Sequence, residues 1–335
     1  MHAFVVRRNQ LAAVERKIPI PPKGWALVRV RLAGICNTDV EILRGYHNFR
    51  GTPGHEFVGE VADLRGVSAR TRVHWLGRRV VGEINIACSA LGIRPACTFC
   101  RRGLRTHCAN RKVLGIAAHD GAFAEYVTLP IENLHPVHDS IPDDRAVFTE
   151  PLAAACEILT QIPARKFHRA AVLGDGKLAQ LIARVLRQAG PRVVMFGKHE
   201  EKLALARLAG IEARAVQNQS ARKNHRQLES FPLVIEATGS PSGLAAALDL
   251  TEPRGTLILK STFHGAAPLA TWPIVVRELN LIGSRCGPFP AALRMLREGA
   301  VDPTPLNSRT FPLADAPAAI RFAQQPGIMK VLLKP

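Results

Sequence analysis

The sequence predicts an α/β protein in which a doubly wound parallel sheet is set into a β-rich domain. Two observations predict it. From Met1 to about Asp144 the chain reads as short strands punctuated by Gly and Pro, and after Glu150 strands alternate with helices. Residues 286–335 lose that alternation again and finish on an apolar run at Lys330–Lys334, a strand that returns to the first domain. A length of 335 residues accommodates two cores.

The elements follow in order. Met1–Arg8 forms a short strand without the charge-then-apolar design of a secretory leader. Trp25–Leu32 alternates as a half-buried strand. Ala170–Leu173 is a short buried strand, after which Leu178, Leu181, Ile182, Val185, Leu186 and Ala189 recur at helical spacing. A strand at Arg192–Phe196, a helix over Glu200–Ala209 and strands at Leu233–Glu236, Thr256–Lys260 and Leu279–Ile282 complete the alternation. The boundaries predicted are 1–147 with a cysteine lobe at 88–108, then 148–285, then 286–335.

Composition narrows the class. The chain is 47% hydrophobic and has no run approaching the roughly 18 apolar residues that span a bilayer, so no membrane association is expected. The formal charge of +18 is carried by dispersed arginines, without a basic tail or aromatic-interleaved patch, and does not predict nucleic-acid binding. A cytoplasmic location is expected, where a C-x-x-C pattern signals metal or redox chemistry ahead of a disulfide.

Gly174-Asp175-Gly176-Lys177-Leu178-Ala179 follows one predicted strand and opens the next helix. This is the setting a dinucleotide-binding glycine turn requires. Gly174 makes the tight turn, Gly176 lets a pyrophosphate approach the backbone, and Ala179 permits close helix–sheet packing at a helix N-terminus that attracts the anion. An NAD site places an acid about 20 residues on, against the ribose 2′-hydroxyl. Here Gly197 takes that position and Lys198 and His199 follow, which favours NADP(H) over NAD(H).

Two groups of residues have the character of zinc ligands. Cys97-Thr98-Phe99-Cys100 and Cys108, with Cys88 upstream, form an all-cysteine set suited to a closed structural site. Cys36, in Gly34–Asp39, and His55-Glu56 supply a mixed set of thiolate, imidazole and carboxylate, which can leave a position open for substrate. Cys156 and Cys286 belong to neither and read as small buried hydrophobes.

Together with Thr149-Glu150-Pro151-Leu152 and Glu236-Ala237-Thr238-Gly239, these motifs resemble the zinc-containing medium-chain dehydrogenase/reductase superfamily over essentially the whole chain. The resemblance implies a GroES-like β-rich catalytic domain plus a Rossmann domain, an active site between them, and a homodimer or homotetramer. It implies Cys36, His55 and Glu150 as catalytic zinc ligands, with Glu56 an exchangeable carboxylate beside them and Asp39 orienting His55. Glu-Pro-Leu after Thr149 resembles the sorbitol and polyol branch, whose third ligand is a carboxylate. Thr38 matches the hydroxyl that takes the substrate proton. Thr238 falls in a motif that matches the family near the cofactor, and Tyr46, His47 and Phe49 match one wall of the substrate pocket; Arg285 either approaches the cofactor at the domain seam or forms a structural ion pair.

This sequence departs from the family's pattern in two places. Glu41 stands where many relatives carry a proton-relay histidine. Eight residues separate Cys88 from Cys97 where relatives usually have two, a lengthening that costs little loop entropy. The implied activity is hydride transfer between NAD(P) and a secondary alcohol, a polyol or the matching carbonyl, with two zinc ions per chain. Other readings compatible with these motifs are a zinc dehydrogenase of an amino alcohol or a tetrapyrrole side chain, a zinc-free enone or quinone reductase, and a nucleotide-binding relative without turnover. His119 and Asp120 carry no assigned role.

Overall fold

The computed structural model describes residues 1–216, 229–262 and 268–335. They form two compact units, Met1–Glu150 with Ala292–Pro335, and Pro151–Ala291.

The first unit is organised around the strand Trp25–Ile35, which pairs antiparallel with three others: Glu56–Arg65, Tyr126–Pro130 and the C-terminal Lys330–Lys334. Its central place explains why nearly all its residues are buried, although its sequence alternates. Arg79–Gly82 and Leu134–Pro136 extend the sheet on one side, and Asn307–Pro312 runs parallel to the last strand on the other. Lys330–Lys334 pairs antiparallel with residues 33–35 of Trp25–Ile35.

In the second unit six strands lie parallel in the order Glu212–Ala215, Arg192–Gly197, Arg169–Leu173, Phe231–Glu236, Thr251–Leu259, Asn280–Gly283. Numbered along the chain this is 3-2-1-4-5-6, the doubly wound Rossmann order. The inner strands are buried on both faces, as a helix-covered parallel sheet demands, with Ala171, Leu173, Val194, Phe231, Val234 and Leu257 in the core. The sequence reading omitted Glu212–Ala215. That edge strand is four residues long, with only Ala213 buried, so it carries no periodic apolar signal.

The helix Lys177–Ala189 buries Leu181, Ile182, Val185 and Leu186 as the spacing requires, and ends at Gly190 with φ of 121°. Two polar residues are buried with them: Gln180 donates to Lys202 O at 2.8 Å and Arg184 to Leu205 O at 3.1 Å. These bonds tie the helix to its neighbour Glu200–Leu208. No helix among the described residues is long and apolar enough to cross a membrane.

Candidate metal centres and glycine turn

Strand pairing brings the mixed ligand set together. Trp25–Ile35 ends at Cys36, which caps the seven-residue helix Asn37–Leu43, while Glu56–Arg65 begins at Glu56, directly opposite Gly34. One ligand-type atom from each of Cys36, His55 and Glu56 lies within 4.8 Å of the other two. His55 and Glu56 are buried and Cys36 is half-buried.

Asp39 holds this geometry. Its carboxylate is 1% exposed and accepts from the backbone N–H of Cys36 at 2.8 Å and of Gly54 at 3.1 Å, so one side chain fixes both ligand-bearing segments. It also lies 3.4 Å from His55 Nδ1, without hydrogen-bond alignment. Gly54 permits the arrangement: its φ is +94° and a Cβ there would stand 2.3 Å from the Phe123 ring. Burial opposes charge on His55, but the Asp39 carboxylate and Cys36 hold its pKa well above the ordinary value. Cys36 Sγ donates to Thr38 Oγ1 at 3.7 Å.

Glu150 is not a member of the cluster. It sits half-buried in the first turn of the helix Thr149–Gln161, and its charge raises the pKa of Lys330. Lys330 is the residue the sequence reading missed at this site. Its Nζ donates to Glu56 Oε2, it is 1% exposed, and it lies 5.6 Å from the Phe148 ring centroid. Gly34 makes room for the pair, since a Cβ at Gly34 would meet Glu56 Oε2 at 2.6 Å.

The four lobe cysteines also converge. One sulfur from each of Cys88, Cys97, Cys100 and Cys108 lies within 4.8 Å of the rest, with Cys88–Cys108 at 3.4 Å and Cys97–Cys108 at 3.9 Å, and none is in a disulfide. The long connection after Cys88 folds back as a turn, Ile93 N–H donating to Cys88 O at 3.0 Å, and so returns the chain to the lobe. Backbone N–H groups of Cys100 and Ala109 pull the Cys97 thiol down to about 6, whereas burial pushes Cys108 up to about 12. Four thiols this close cannot all ionise without a cation among them, and a tetrahedral divalent ion meets that need. Both donor sets therefore fit zinc in chemistry and proximity.

Other residues singled out in the sequence make local contacts. Glu41 pairs with Arg44 at 2.8 Å on an exposed helix face. Tyr46 and Phe49 pack into a small core with Val6 and Ile42. His119 bonds Thr128 O at 2.8 Å and tilts against the Trp25 ring, while Asp120 accepts from Thr52 N–H at 2.8 Å. Cys156 is buried and Cys286 half-buried.

In the second unit Gly174 has a φ of +115°, and a Cβ there would stand 2.5 Å from Ala237 O. Gly176 caps the helix with open space around it, and Ala179 is buried. Gly197 is buried at the end of its strand, Lys198 is exposed and His199 half-buried. Thr238 donates to Glu236 Oε1 through both its N–H and its hydroxyl. Arg285 is exposed, and its carbonyl accepts from buried Lys260 at 2.6 Å. The reading of the glycine turn gave no weight to Asp175. Its carboxylate accepts from the N–H of Lys198 at 2.6 Å and of His199 at 2.9 Å.

Residues 22–139 match the family described as alcohol dehydrogenase GroES-like domain, and residues 176–298 the family described as zinc-binding dehydrogenase. D-altritol 5-dehydrogenase of Agrobacterium fabrum is 30% identical, covering 99% of this chain and 98% of its own. A zinc-binding dehydrogenase of Sinorhizobium meliloti 1021 bound to NADP superposes with a TM-score of 0.88 at 26% identity, over 100% of this chain and 99% of that one. The short chain alcohol dehydrogenase rspB of Escherichia coli CFT073, complexed with NADH, also gives 0.88, at 27% identity and the same coverage.

Proposed function

Since the chain belongs to the zinc-containing medium-chain dehydrogenase/reductase superfamily of alcohol and polyol dehydrogenases, we propose that it oxidises a small secondary alcohol or polyol, and reduces the matching carbonyl, with a nicotinamide dinucleotide. The observation that carries the reading is the convergence of Cys36, His55 and Glu56 within 4.8 Å. Cys36 and His55 would hold the metal, Glu56 would be the exchangeable carboxylate beside them, and the resemblance adds Glu150, which lies outside the 4.8 Å cluster, as the third ligand. Zinc bound there supplies Lewis acidity that makes a substrate hydroxyl easier to deprotonate.

This chain's residues do the rest. Thr38 Oγ1, held by Cys36 Sγ, takes the substrate hydroxyl proton as it passes its own proton on to water, while hydride leaves the carbon bearing that hydroxyl for the nicotinamide ring. Asp39 keeps Cys36 and His55 in register through their backbones. Gly174, Gly176 and the N-terminus of Lys177–Ala189 hold the pyrophosphate, with Ala179 packed beneath, and Thr238 and Arg285 border the dinucleotide. NADP(H), favoured by the sequence at Gly197, Lys198 and His199, is opposed by the Asp175 carboxylate at the same strand end.

A second zinc in the Cys88–Cys97–Cys100–Cys108 lobe is a structural ion. The assembly is a homodimer or homotetramer; Trp272, Val275 and Val276, 68–73% exposed, offer an apolar face for it.

A panel of alcohols and carbonyls, assayed with both dinucleotides before and after chelation, tests the reading. Turnover of polyols that chelation abolishes supports it. Full activity after the metal is stripped points to the zinc-free reductase chemistry, and cofactor binding without turnover on any member refutes enzymatic function.

A further inference from the structure

We propose that Asp175, the middle residue of the glycine turn, is the acid that selects the dinucleotide, and that it selects NAD(H). The inference rests on the dinucleotide reading above and deepens it.

The position that carries the ribose-binding acid in NAD sites is here Gly197, and a reading of sequence spacing stops there. The sheet register alters the conclusion. Leu173 pairs with Phe196 and Gly174 N–H donates to Phe196 O at 2.8 Å, so the glycine turn and the end of the next strand lie side by side. Across that seam Asp175 extends its side chain. A Cβ added at Gly197 would stand 2.5 Å from Asp175 Cβ and 2.6 Å from Oδ2. The two positions therefore compete for one volume. An acid at 197 and an acid at 175 are alternative ways of placing a carboxylate at this strand end, and Gly197 is the residue that lets the second one in.

The carboxylate is held firmly. Oδ2 accepts from the N–H of Lys198 and His199, and His199 Nδ1 lies 3.0 Å from Oδ2 and 3.2 Å from Oδ1. These backbone donors keep its pKa below the ordinary value against the effect of burial, so it is charged at neutral pH. Three consequences follow for a dinucleotide. The N–H groups that would cradle a 2′-phosphate are already taken by an anion. The His199 ring, set against that phosphate by sequence, is turned onto Asp175 instead. A carboxylate has about four acceptor positions and the donors named fill three, which leaves one for a ribose hydroxyl. Of the two, Lys198 is exposed, and the fixed carboxylate beside it repels a phosphate dianion.

The test is equilibrium binding of NADH and NADPH to the full chain, followed by nicotinamide fluorescence, for the native protein, Asp175→Asn and Asp175→Ser. The native protein should bind NADH at least about tenfold more tightly, and both variants should move the ratio toward NADPH by about tenfold, chiefly through stronger NADPH binding. Equal or tighter NADPH binding by the native protein overturns the proposal. So does a loss of both dinucleotides by one common factor in the folded variants, which would mark Asp175 as a structural support of the turn. Binding of neither dinucleotide to the native protein is a different failure, since it removes the dinucleotide reading itself.

Discussion

Lys330 Nζ donates to Glu56 Oε2 with both side chains only 1% exposed, joining residues 274 positions apart beside the Cys36–His55 cluster. Burial works against the lysine's charge, but Glu56, Cys36 and Glu150 together raise its pKa above the ordinary value. The pair claims one oxygen of the carboxylate that would otherwise be free to approach a metal. It also anchors the C-terminal strand to the strand carrying Glu56.

Removing one partner strands the other. Lys330→Met is expected to cost about 3–5 kcal/mol of unfolding free energy, and the double variant Lys330→Met/Glu56→Gln to recover most of it. Chemical denaturation of the metal-free proteins measures this. Additive losses in the double variant would mean that the two side chains do not depend on each other.

Asp39 touches no substrate in this account, yet it bonds the backbone at both Cys36 and Gly54. Asp39→Ala should lower zinc affinity by about 10–100-fold, the usual effect of removing a supporting partner. Competition with a chromophoric chelator reads this directly, and an unchanged affinity would exclude a positioning role.

The lobe predicts a separable ion. Cys100→Ser should remove about one zinc per chain and lower the melting temperature, while the Cys36–His55 site keeps its own metal. Elemental analysis with thermal melting decides it; an unaltered zinc content would show that the four cysteines close no metal site.

Glu41 forms an exposed pair with Arg44, with side-chain exposures of 28% and 63%. Such pairs contribute about 0–1 kcal/mol. Glu41→Gln should therefore leave both stability and the pH–rate profile close to native. A displaced limb of that profile would restore the proton-relay role that its position suggests.

His119 supplies a pH dependence of stability. Burial lowers its pKa below 6.5, partly offset by its bond to Thr128 O and by Asp120, with Lys112 adding to the lowering. The unfolded chain then binds more protons than the folded one between the depressed value and 6.5. Stability is accordingly full above 6.5 and declines as pH falls through that window. His119→Gln should flatten the decline in denaturation midpoints measured across it. A slope identical to native would place the effect elsewhere.

Much of this was legible in the sequence because local order carries it. Strand-to-helix alternation announces the parallel sheet, the 174–179 turn needs only its own context, and the spacing of Cys97, Cys100 and Cys108 is itself a ligand pattern. What escaped is carried by pairing between distant segments. Lys330 looks like an ordinary charge flanking an apolar strand until register sets it against Glu56. Asp175 is an unconstrained letter of the glycine motif until its strand lies beside Gly197. Glu41 shows the reverse case, a position that is suggestive in sequence and solvated in the fold.

Zinc content of Cys36→Ser beside that of the native protein tests the central claim most directly. The account predicts two ions per native chain and one in the folded variant, with the ion lost from the site formed with His55. Two ions retained in the variant, or one in both proteins, would contradict it.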